Sequence, residues 1–457
     1  MRFLFTCIPG LGHFHPLVPL AEALARAGHT IAFATAPAFA EVVTAAGLEV
    51  IPAGMNWDER HLVKTVPELG PIPQMYRGEW IMKNIFLDRS PRSMVPDLLK
   101  IIAAWRPDMI VAGSFEYGAV LAAERAGIAY ANANYTIRWH PWILKLAVGR
   151  AIGKLRKSFG LPEDPDLRAF GRHLDLCFAP PSWTFESALL RPELTRLVAA
   201  KVVHSDLPLR QRASGVRALL LQRMFARVAR LQTGLHGQPA PALHFVGQAP
   251  AREHPSETLA WLKGMPRQPI IFVSLGTVLS ADYPEIFEKI LAALEDQPVN
   301  LVLTLGGSGD PARFGPRAPN IRILPFLTQE EIRALLPLVA LCINHAGYSS
   351  VMEALLHGIP LVLFPLVSDA PMNTQMCLSS GVAPELQSSV WGLSPKGLPV
   401  IRPEKLTPEI IREAAMKALH DPSYRNAARR LQRELADRLS PDEAVGLLEQ
   451  IVCRHSE

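Results

Sequence analysis

The chain has 457 residues, of which 49% are hydrophobic and 19% are charged. This length predicts two or three domains, and the balance of apolar and charged residues excludes global disorder. The net charge of +5 is too small to indicate a nucleic-acid-binding protein and is compatible with an anionic small ligand. Five scattered cysteines without a CxxC pair argue against a disulfide framework or a zinc site and favour a reducing cytoplasm.

The first part of the chain alternates short apolar strands with helices, which predicts a parallel sheet covered on both faces. Strands are predicted at Arg2–Ile8, Thr30–Thr35, Leu48–Pro52, Met109–Ala112 and Ile128–Ala131, with helices at Pro16–Ala27 and Pro37–Ala46. The N-terminal apolar run is too short for a signal sequence. Later apolar runs fall well below the ~18 residues that a membrane span requires.

This alternation is lost after about Thr136 and restarts near Leu243. Further strands are predicted at His244–Val246, Ile270–Leu275, Leu301–Leu305, Ile321–Leu324, Leu341–Asn344 and Leu361–Phe364, with helices near Tyr283–Leu294, Gln329–Leu336, Tyr348–His357 and Met372–Gly381. The Gly- and Pro-containing stretch 234–241 is the predicted linker. We therefore predict an α/β protein with domains at 1–236 and 242–423, and a terminal helix at 424–457 that could pack back on the first domain.

Ligands of open α/β sheets bind beyond the carboxyl ends of the strands, so the strand-to-helix loops are of most interest. The first such loop is Pro9–Pro16, where Gly10 and Gly12 permit a tight backbone. His13 in this loop could act as a general base near neutral pH. The alternative is that His13 merely caps the following helix, and its position alone favours neither interpretation.

The second loop, Asn344–Glu353, places small and hydroxyl-bearing residues directly before a predicted helix. The free N–H groups of such a helix N-terminus attract phosphate. Gly347 allows a close approach, and His345 and Ser350 can donate hydrogen bonds. Glu353 cannot bind phosphate and suggests a ligand that also carries hydroxyl groups, as a ribose does. Ordinary helix capping is the alternative.

The third loop, Phe364–Asn373, carries Asp369 and Asn373 four residues apart at the start of another predicted helix. A helix cap followed by a polar residue in the first turn explains this pair as well as a ligand contact does. The local pattern therefore leaves both interpretations open.

Together, the three loops resemble the nucleotide-diphosphate-sugar-dependent glycosyltransferases of family 1, which include bacterial macrolide transferases and have the GT-B fold. Gly12–Pro16 is similar to the family's GHxxP motif, and His345–Glu353 is similar to its HxGxxSxxE donor motif. The resemblance covers essentially the whole chain and is strongest in the first 35 residues and over 272–382. It implies two facing, Rossmann-like, doubly wound domains with a cleft between them.

The resemblance also implies roles for individual residues. His13 would be the catalytic base. The donor diphosphate and ribose would be bound by Ser274, Gly276, Thr277, His345, Gly347, Ser349, Ser350 and Glu353. Phe326 and Gln329 would hold the nucleobase, and Asp369 and Ala370 would face the donor sugar. No metal and no cofactor are implied, because the nucleotide diphosphate sugar is itself a co-substrate.

Three positions depart from the family pattern, and one of them is Phe326, where the family commonly has a base-stacking Trp. The Asp that supports the base in many members aligns with Gly113, and we predict that the nearby Glu116 takes this role, with an unaided His13 as the alternative. The family's donor-sugar pair of an acid and a Gln is Asp369 and Ala370 here. A deoxysugar or an N-acetyl sugar would suit the apolar wall that Ala370 leaves, and glucose held less selectively is the alternative. UDP-glucose remains slightly ahead, because the family favours it.

These features predict an inverting, metal-independent glycosyltransferase in the cytoplasm. It would move a sugar from a UDP- or dTDP-sugar to a hydroxyl of a lipophilic small molecule. The alternatives are a nucleotide-sugar 2-epimerase of the same architecture and a non-catalytic helper or binding protein. The basic, aromatic stretch Arg138–Arg172 is expected to line the acceptor pocket, with weak contact to an anionic membrane surface as the alternative.

Overall fold

The computed structural model of the protein describes residues 1–135, 141–183, 216, 243–247, 259–280, 282–307, 309–367, 369–394 and 398–456. These residues form two compact units. Within the described ranges, residues up to 183, 243–247 and 437–456 belong to the first unit, and 259–436 belong to the second. None of the helices in these ranges has both the length and the apolar character needed to cross a membrane.

A parallel sheet of seven strands forms the centre of the first unit. Its strands are β1 (Arg2–Thr6), β2 (Thr30–Thr35), β3 (Glu49–Pro52), β4 (Met109–Gly113), β5 (Ala129–Asn134), β6 (Leu174–Cys177) and β7 (Leu243–Phe245). They lie in the order β3-β2-β1-β4-β5-β6-β7, and each adjacent pair is parallel. All five residues of the central strand β4 are buried, as expected for a strand covered on both faces.

Helices cover this sheet and join its strands. They are α1 (Leu11–Phe14), α2 (Val18–Arg26), α3 (Ala40–Ala45), α4 (Leu62–Thr65), α5 (Gln74–Ile81), α6 (Ser90–Trp105), α7 (Tyr117–Ala126) and α8 (Pro141–Ser158). A π-helical segment, Met82–Arg89, connects α5 to α6, and 3-10 turns lie at Pro37–Phe39, Glu59–His61 and Pro67–Leu69. Leu98 of α6 and Val120 of α7 share one hydrophobic core with Ile110 of β4.

A parallel sheet of five strands forms the centre of the second unit. Its strands are β8 (Ile270–Ser274), β9 (Asn300–Thr304), β10 (Ile321–Leu324), β11 (Val339–Asn344) and β12 (Leu361–Leu363). They lie in the order β10-β9-β8-β11-β12, again all parallel. A short antiparallel pair follows, consisting of β13 (Trp391–Leu393) and β14 (Pro399–Ile401).

The helices of the second unit are α9 (Gly276–Leu279), α10 (Pro284–Leu294), α11 (Gln329–Leu335), α12 (Tyr348–Leu356), α13 (Ala370–Ser380), α14 (Pro408–His420) and α15 (Pro422–Ala436). 3-10 turns lie at Ala260–Gly264, Pro311–Phe314, Leu336–Leu338, Ser388–Val390 and Pro403–Lys405. Ile290 of α10 and Ile411 of α14 pack with Val273 of β8 in a separate core. Two parallel-sheet, Rossmann-like units confirm the predicted fold class.

Strand β7 corrects the predicted start of the second domain. The sequence assigned this strand to a domain that begins at residue 242, but β7 pairs with β6 in the first sheet. A strand of three residues is too short for its sequence to indicate which sheet it joins. The predicted linker at 234–241 and the boundary at 236 lie outside the described residues.

The C-terminal segment forms two helices, which corrects the single helix predicted at 424–457. Helix α15 belongs to the second unit and α16 (Pro441–Ser456) to the first. Pro441 explains the break, because proline is tolerated in the first turn of a helix but not in its interior. Helix α16 packs against α2, where Asp442 pairs with Arg26 at 2.8 Å.

Helix α8 lies within the basic stretch Arg138–Arg172. Its residues Val148, Ile152 and Leu155 are buried in the core of the first unit. Arg156 is also buried and forms two hydrogen bonds to the Glu124 carboxylate, at 2.6 and 2.9 Å. These side chains therefore stabilise the unit. Residues 138–140 lie outside the described residues.

Candidate active site

His13 lies on α1, directly beyond the carboxyl end of β1, as the sequence predicts. Its Nδ1 is 2.8 Å from the Tyr135 hydroxyl oxygen, and its Nε2 is 3.6 Å from Glu59 Oε1. The second distance is within ion-pair range but too long for a hydrogen bond. The His13 side chain is 16% exposed, so the ring is shielded while remaining accessible.

Aromatic side chains surround the His13 ring. Phe86, Phe115 and Tyr135 approach it edge-on, with ring centroids 6.3, 6.2 and 5.5 Å away. Phe86 also stacks on Phe115 and packs against Trp57. Trp57, Phe86 and Tyr135 are buried, so these aromatic side chains shield the His13 ring from water.

Tyr135 follows β5 and connects His13 to the end of β4. Its hydroxyl donates to the Ser114 carbonyl oxygen at 3.2 Å, and its backbone N–H donates to Ser114 Oγ at 3.1 Å. The residue is buried, and this burial raises the pKa of Tyr135 well above its ordinary value, with a smaller contribution from neighbouring acidic groups. The phenol is therefore neutral at physiological pH.

Glu59 is a site residue that the sequence did not predict. Its backbone N–H donates to the Pro9 carbonyl oxygen at 2.9 Å, which holds it against the first loop. A Cβ atom on Gly10 would overlap the Glu59 carboxylate and lie 2.8 Å from its Cδ. Gly10 thus leaves the space that brings this carboxylate close to His13.

Glu116 has no hydrogen bond to His13, which corrects the predicted pairing. Its side chain is 2% exposed, and neither carboxylate oxygen has a hydrogen-bond partner among the described residues. Burial raises the pKa of Glu116 to about 8. The nearby Gly118 backbone amide lowers this pKa only in part, because it does not reach hydrogen-bond geometry. The carboxyl is therefore mostly protonated at neutral pH and cannot supply the negative charge expected of a base's partner.

In the second unit, the predicted donor residues gather at the carboxyl ends of neighbouring strands. Strands β8 and β11 pair Ser274 with Asn344, so the residues that follow each strand meet. The His345 ring lies between Gly276 and Gly347: a Cβ on Gly276 would be 2.7 Å from the ring, and one on Gly347 would overlap it. Gly276 also has a φ of +76°, which glycine adopts without strain.

The polar groups around His345 suit an anion. Desolvation of its half-buried ring lowers the pKa of His345 to about 4, opposed in part by the Ser274 backbone, so the imidazole is neutral. Its Nδ1 has no hydrogen-bond partner among the described residues. Gly347 precedes α12 without a side-chain cap, which disfavours the capping alternative. The helix N-terminus and the imidazole are therefore both suited to bind phosphate.

Ser274, Ser350 and Glu353 line one cavity of about 30 Å³, which is room for roughly one water molecule. Desolvation raises the pKa of Glu353 to about 7, and its carboxylate accepts a hydrogen bond from Gln329 Nε2. Glu353, predicted to bind the ribose, and Gln329, predicted to hold the nucleobase, are thus hydrogen-bonded to each other. Phe326 is 45% exposed, which leaves its ring accessible for stacking.

Two other predicted donor residues add little to this description. Ser349 is half-buried in the first turn of α12, next to Ser350. The side chain of Thr277 lies outside the described part of the protein.

Asn373 connects the second and third loops. Its Nδ2 donates to the Ala346 carbonyl oxygen at 2.9 Å and to Asp369 Oδ2 at 2.7 Å. Asp369 is exposed, whereas Ala370 begins α13 and is only 1% exposed. The open apolar wall predicted at Ala370 is therefore not present, although Asp369 remains accessible at the N-cap of α13.

Comparison with known proteins finds similar chains. Residues 229–455 match the family described as UDP-glucoronosyl and UDP-glucosyl transferase, and residues 22–159 match the erythromycin biosynthesis protein CIII-like N-terminal domain. The tylactone mycaminosyltransferase of Streptomyces fradiae is 26% identical over 100% of this chain and 93% of its own length. The 10-deoxymethynolide desosaminyltransferase of Streptomyces venezuelae is 27% identical over 100% of this chain and 98% of its own.

A solved structure shows the same fold. The spinosyn rhamnosyltransferase SpnG complexed with thymidine diphosphate has a TM-score of 0.64 and 17% identity, over 98% of this chain and 100% of its own. Two Rossmann-like units with these matches define a glycosyltransferase of the GT-B fold. The chain belongs to the nucleotide-sugar-dependent glycosyltransferases of family 1. Its reaction is the transfer of a sugar to a small molecule.

Proposed function

We propose that this enzyme moves a sugar from a dTDP- or UDP-sugar to a hydroxyl of a lipophilic small molecule, with His13 as general base. One observation carries the proposal: Tyr135 binds Nδ1 of His13, while Nε2 is not hydrogen-bonded to the adjacent Glu59. Nε2 is then the atom that takes the acceptor proton as the acceptor oxygen attacks the anomeric carbon. A single displacement of this kind inverts the configuration at that carbon.

The donor half of the reaction is assigned to the second unit. As the nucleotide diphosphate leaves, it develops negative charge, which hydrogen-bond donors in fixed positions stabilise. The N-terminus of α12, His345 and Ser350 supply such donors, and we propose that they balance the charge without a metal ion. Glu353 would give up its hydrogen bond to Gln329 and accept hydrogen bonds from the ribose hydroxyls instead.

The proposed donors are dTDP-deoxysugars, ahead of UDP-glucose. The relatives are named as mycaminosyl and desosaminyl transferases, and the spinosyn rhamnosyltransferase was solved with thymidine diphosphate. Ala370 has no polar side-chain atom and is buried, so this position does not bind a sugar hydroxyl and leaves no open wall for one. The preference for deoxysugars therefore rests on the relatives and not on Ala370. The aromatic residues around His13 favour a lipophilic acceptor.

Titration calorimetry with TDP and UDP tests the donor half without knowledge of the acceptor. Gly347→Ala would force the His345 ring to move, because the new Cβ would lie 2.8 Å from ring Cε1. We expect nucleotide diphosphate binding to weaken at least about tenfold, or roughly 1.4 kcal/mol. His345→Ala, which removes a hydrogen bond to a charged group, should cost about 1.5–3 kcal/mol.

Gly264→Ala is the matched control, because nothing lies within 4 Å of a Cβ at that position in the same unit. It should bind TDP as the wild type does. Wild-type affinity in both Gly347→Ala and His345→Ala would mean that the donor binds elsewhere.

A further inference from the structure

We propose that two positioning residues on different sides of the ring prepare His13 for base catalysis. Tyr135 sets the tautomer of the ring through Nδ1, and Glu59 stabilises the imidazolium from the Nε2 side. The inference rests on the proposed function of His13 as general base. It explains how this chain supports that base without a carboxylate at position 113.

The hydrogen bonds of Tyr135 determine the tautomer. The Tyr135 hydroxyl has one proton, and the Ser114 carbonyl oxygen, 3.2 Å away, can only accept, so we assign that proton to this bond. With this assignment, His13 Nδ1, 2.8 Å from the hydroxyl oxygen, carries a proton and donates it. In the neutral ring this leaves Nε2 unprotonated, with its lone pair available for an acceptor hydroxyl.

The surroundings hold the phenol in this position. The Tyr135 backbone N–H is bound to Ser114 Oγ at 3.1 Å, so the Ser114 residue binds both ends of the tyrosine. A Cβ on Gly113 would lie only 3.2 Å from the Tyr135 hydroxyl oxygen. The missing side chain at 113 thus leaves room for the phenol that approaches from the end of β5.

Tyr135 cannot supply negative charge, because its phenol is neutral, whereas Glu59 can. Glu59 Oε1 is 3.6 Å from His13 Nε2, close enough to stabilise the protonated ring. A carboxylate has no proton to donate, so it does not use the Nε2 lone pair. The Glu59 side chain is 26% exposed, and this partial shielding from water strengthens the attraction.

The other ionisable groups near Tyr135 are neutral at physiological pH. Burial raises the pKa of Cys7 to about 12 and that of Glu116 to about 8. In this part of the described structure, Glu59 is therefore the group near His13 that carries the negative charge needed to stabilise the imidazolium.

Two substitutions separate the two roles. Tyr135→Phe removes only the hydroxyl and should lower kcat roughly 10- to 100-fold, with an unchanged Kd for TDP. Glu59→Gln keeps the shape and removes the charge, so it should lower kcat about tenfold. It should also move the acidic limb of the kcat/KM pH profile to lower pH, because the imidazolium loses a stabilising charge.

Each variant has a matched control. Tyr130→Phe removes another buried hydroxyl near the same sheet, which donates to the Ala169 carbonyl oxygen at 2.6 Å. Glu68→Gln removes an exposed carboxylate that pairs with Arg89 at 2.7 Å. Both controls should match the wild type in kcat and in pH profile.

Nitrogen-15 NMR of ring-labelled histidine reads the tautomer directly, with the His13 signals assigned from a His13→Gln spectrum. We expect the Nδ1–H tautomer in the wild type and a gain of the Nε2–H form in Tyr135→Phe. An Nε2–H tautomer in the wild type would overturn the role of Tyr135 even where the variant fails to fold. Wild-type kinetics in Tyr135→Phe or in Glu59→Gln would overturn the role of that residue while leaving His13 as the base. An active His13→Ala would instead overturn the proposed function.

Discussion

Ionisation of Glu116 opposes the folding of the first unit. The pKa of its carboxyl is about 8 in the folded protein, against an ordinary value of 4.5, because the group is buried. Folding therefore favours the protonated form. The contribution of this neutral carboxyl to the free energy of unfolding is fully present below about pH 4.5 and is lost as the pH rises through 8. At about 1.4 kcal/mol per pKa unit, the loss is of order 3–5 kcal/mol.

Glu116→Gln should remove this pH dependence, because an amide cannot ionise. We expect the variant to have a free energy of unfolding about 2–4 kcal/mol above that of the wild type at pH 9 and close to it at pH 5. Denaturant unfolding at both pH values measures the difference. Glu41→Gln, at an exposed position of α3, serves as the control and should show no such change between the two pH values. A Glu116→Gln difference independent of pH would contradict the burial of an ionisable carboxyl.

Sequence patterns located some of the site residues and missed others for a physical reason. His13 and His345 each follow a buried strand, so the rule for parallel sheets places both at the edge where ligands bind. Tyr135 meets His13 across 122 positions of the chain, and local spacing carries no signal for such a contact. Glu59 follows Asp58 and precedes Arg60, which pair with each other, so the cluster has the pattern of a solvated charged turn.

Helix α16 shows how one element completes the first unit from the far end of the chain. Its apolar residues Ala444, Val445, Leu448 and Val452 are buried. Leu448 lies four residues after Ala444 and three after Val445, and Val452 lies four further on, which places all four on one face. His29, just after α2, lies 2.9 Å from Glu449 on the same helix. The packing of this face gives two substitutions with opposite expected effects.

Leu448→Ala should lower the free energy of unfolding by about 2–4 kcal/mol, because Leu448 is fully buried. Gly446→Ala should raise it by roughly 0.5–1 kcal/mol, because a Cβ there meets nothing within 4 Å and alanine favours the helix. Denaturant unfolding of the full chain measures both. A loss of stability in Gly446→Ala, or none in Leu448→Ala, would mean that α16 does not pack in this way.

Strands were easier to predict than the helices that surround them. Buried parallel strands appear in the sequence as continuous apolar runs, and the predicted runs of both sheets contain or overlap observed strands. The sequence does not indicate strand β6, because Asp175 interrupts its four residues. In the fold, the Asp175 carboxylate accepts a hydrogen bond from Asn134. The helices from Gln74 to Trp105 were also missed, since a π-helical segment and Pro96 disturb the helical period there.

At the scale of the whole molecule, the first unit is discontinuous in sequence. Its sheet takes β7 from residues beyond 242, and its last helix is the final helix of the chain. The alternation of predicted strands and helices cannot show this discontinuity. It indicates whether a segment is a strand or a helix but not which elements it packs against. The GT-B class is nevertheless predictable from the sequence, because the motif at 345–353 is long, keeps its residues in the family's order and follows a buried strand.

His13 is proposed to take the acceptor proton in a sugar transfer with inversion. Release of nucleoside diphosphate, followed over a panel of dTDP- and UDP-sugars with lipophilic alcohols, identifies an active pair. With that pair, turnover by His13→Ala should fall about 10²- to 10⁴-fold with an unchanged Kd for TDP. His61→Ala, an exposed histidine of the same unit, should keep wild-type turnover, and NMR of the product should show an inverted anomeric centre. Turnover by His13→Ala within a few-fold of the wild type would show that His13 is not the base, and a product with retained configuration would rule out a single inverting displacement.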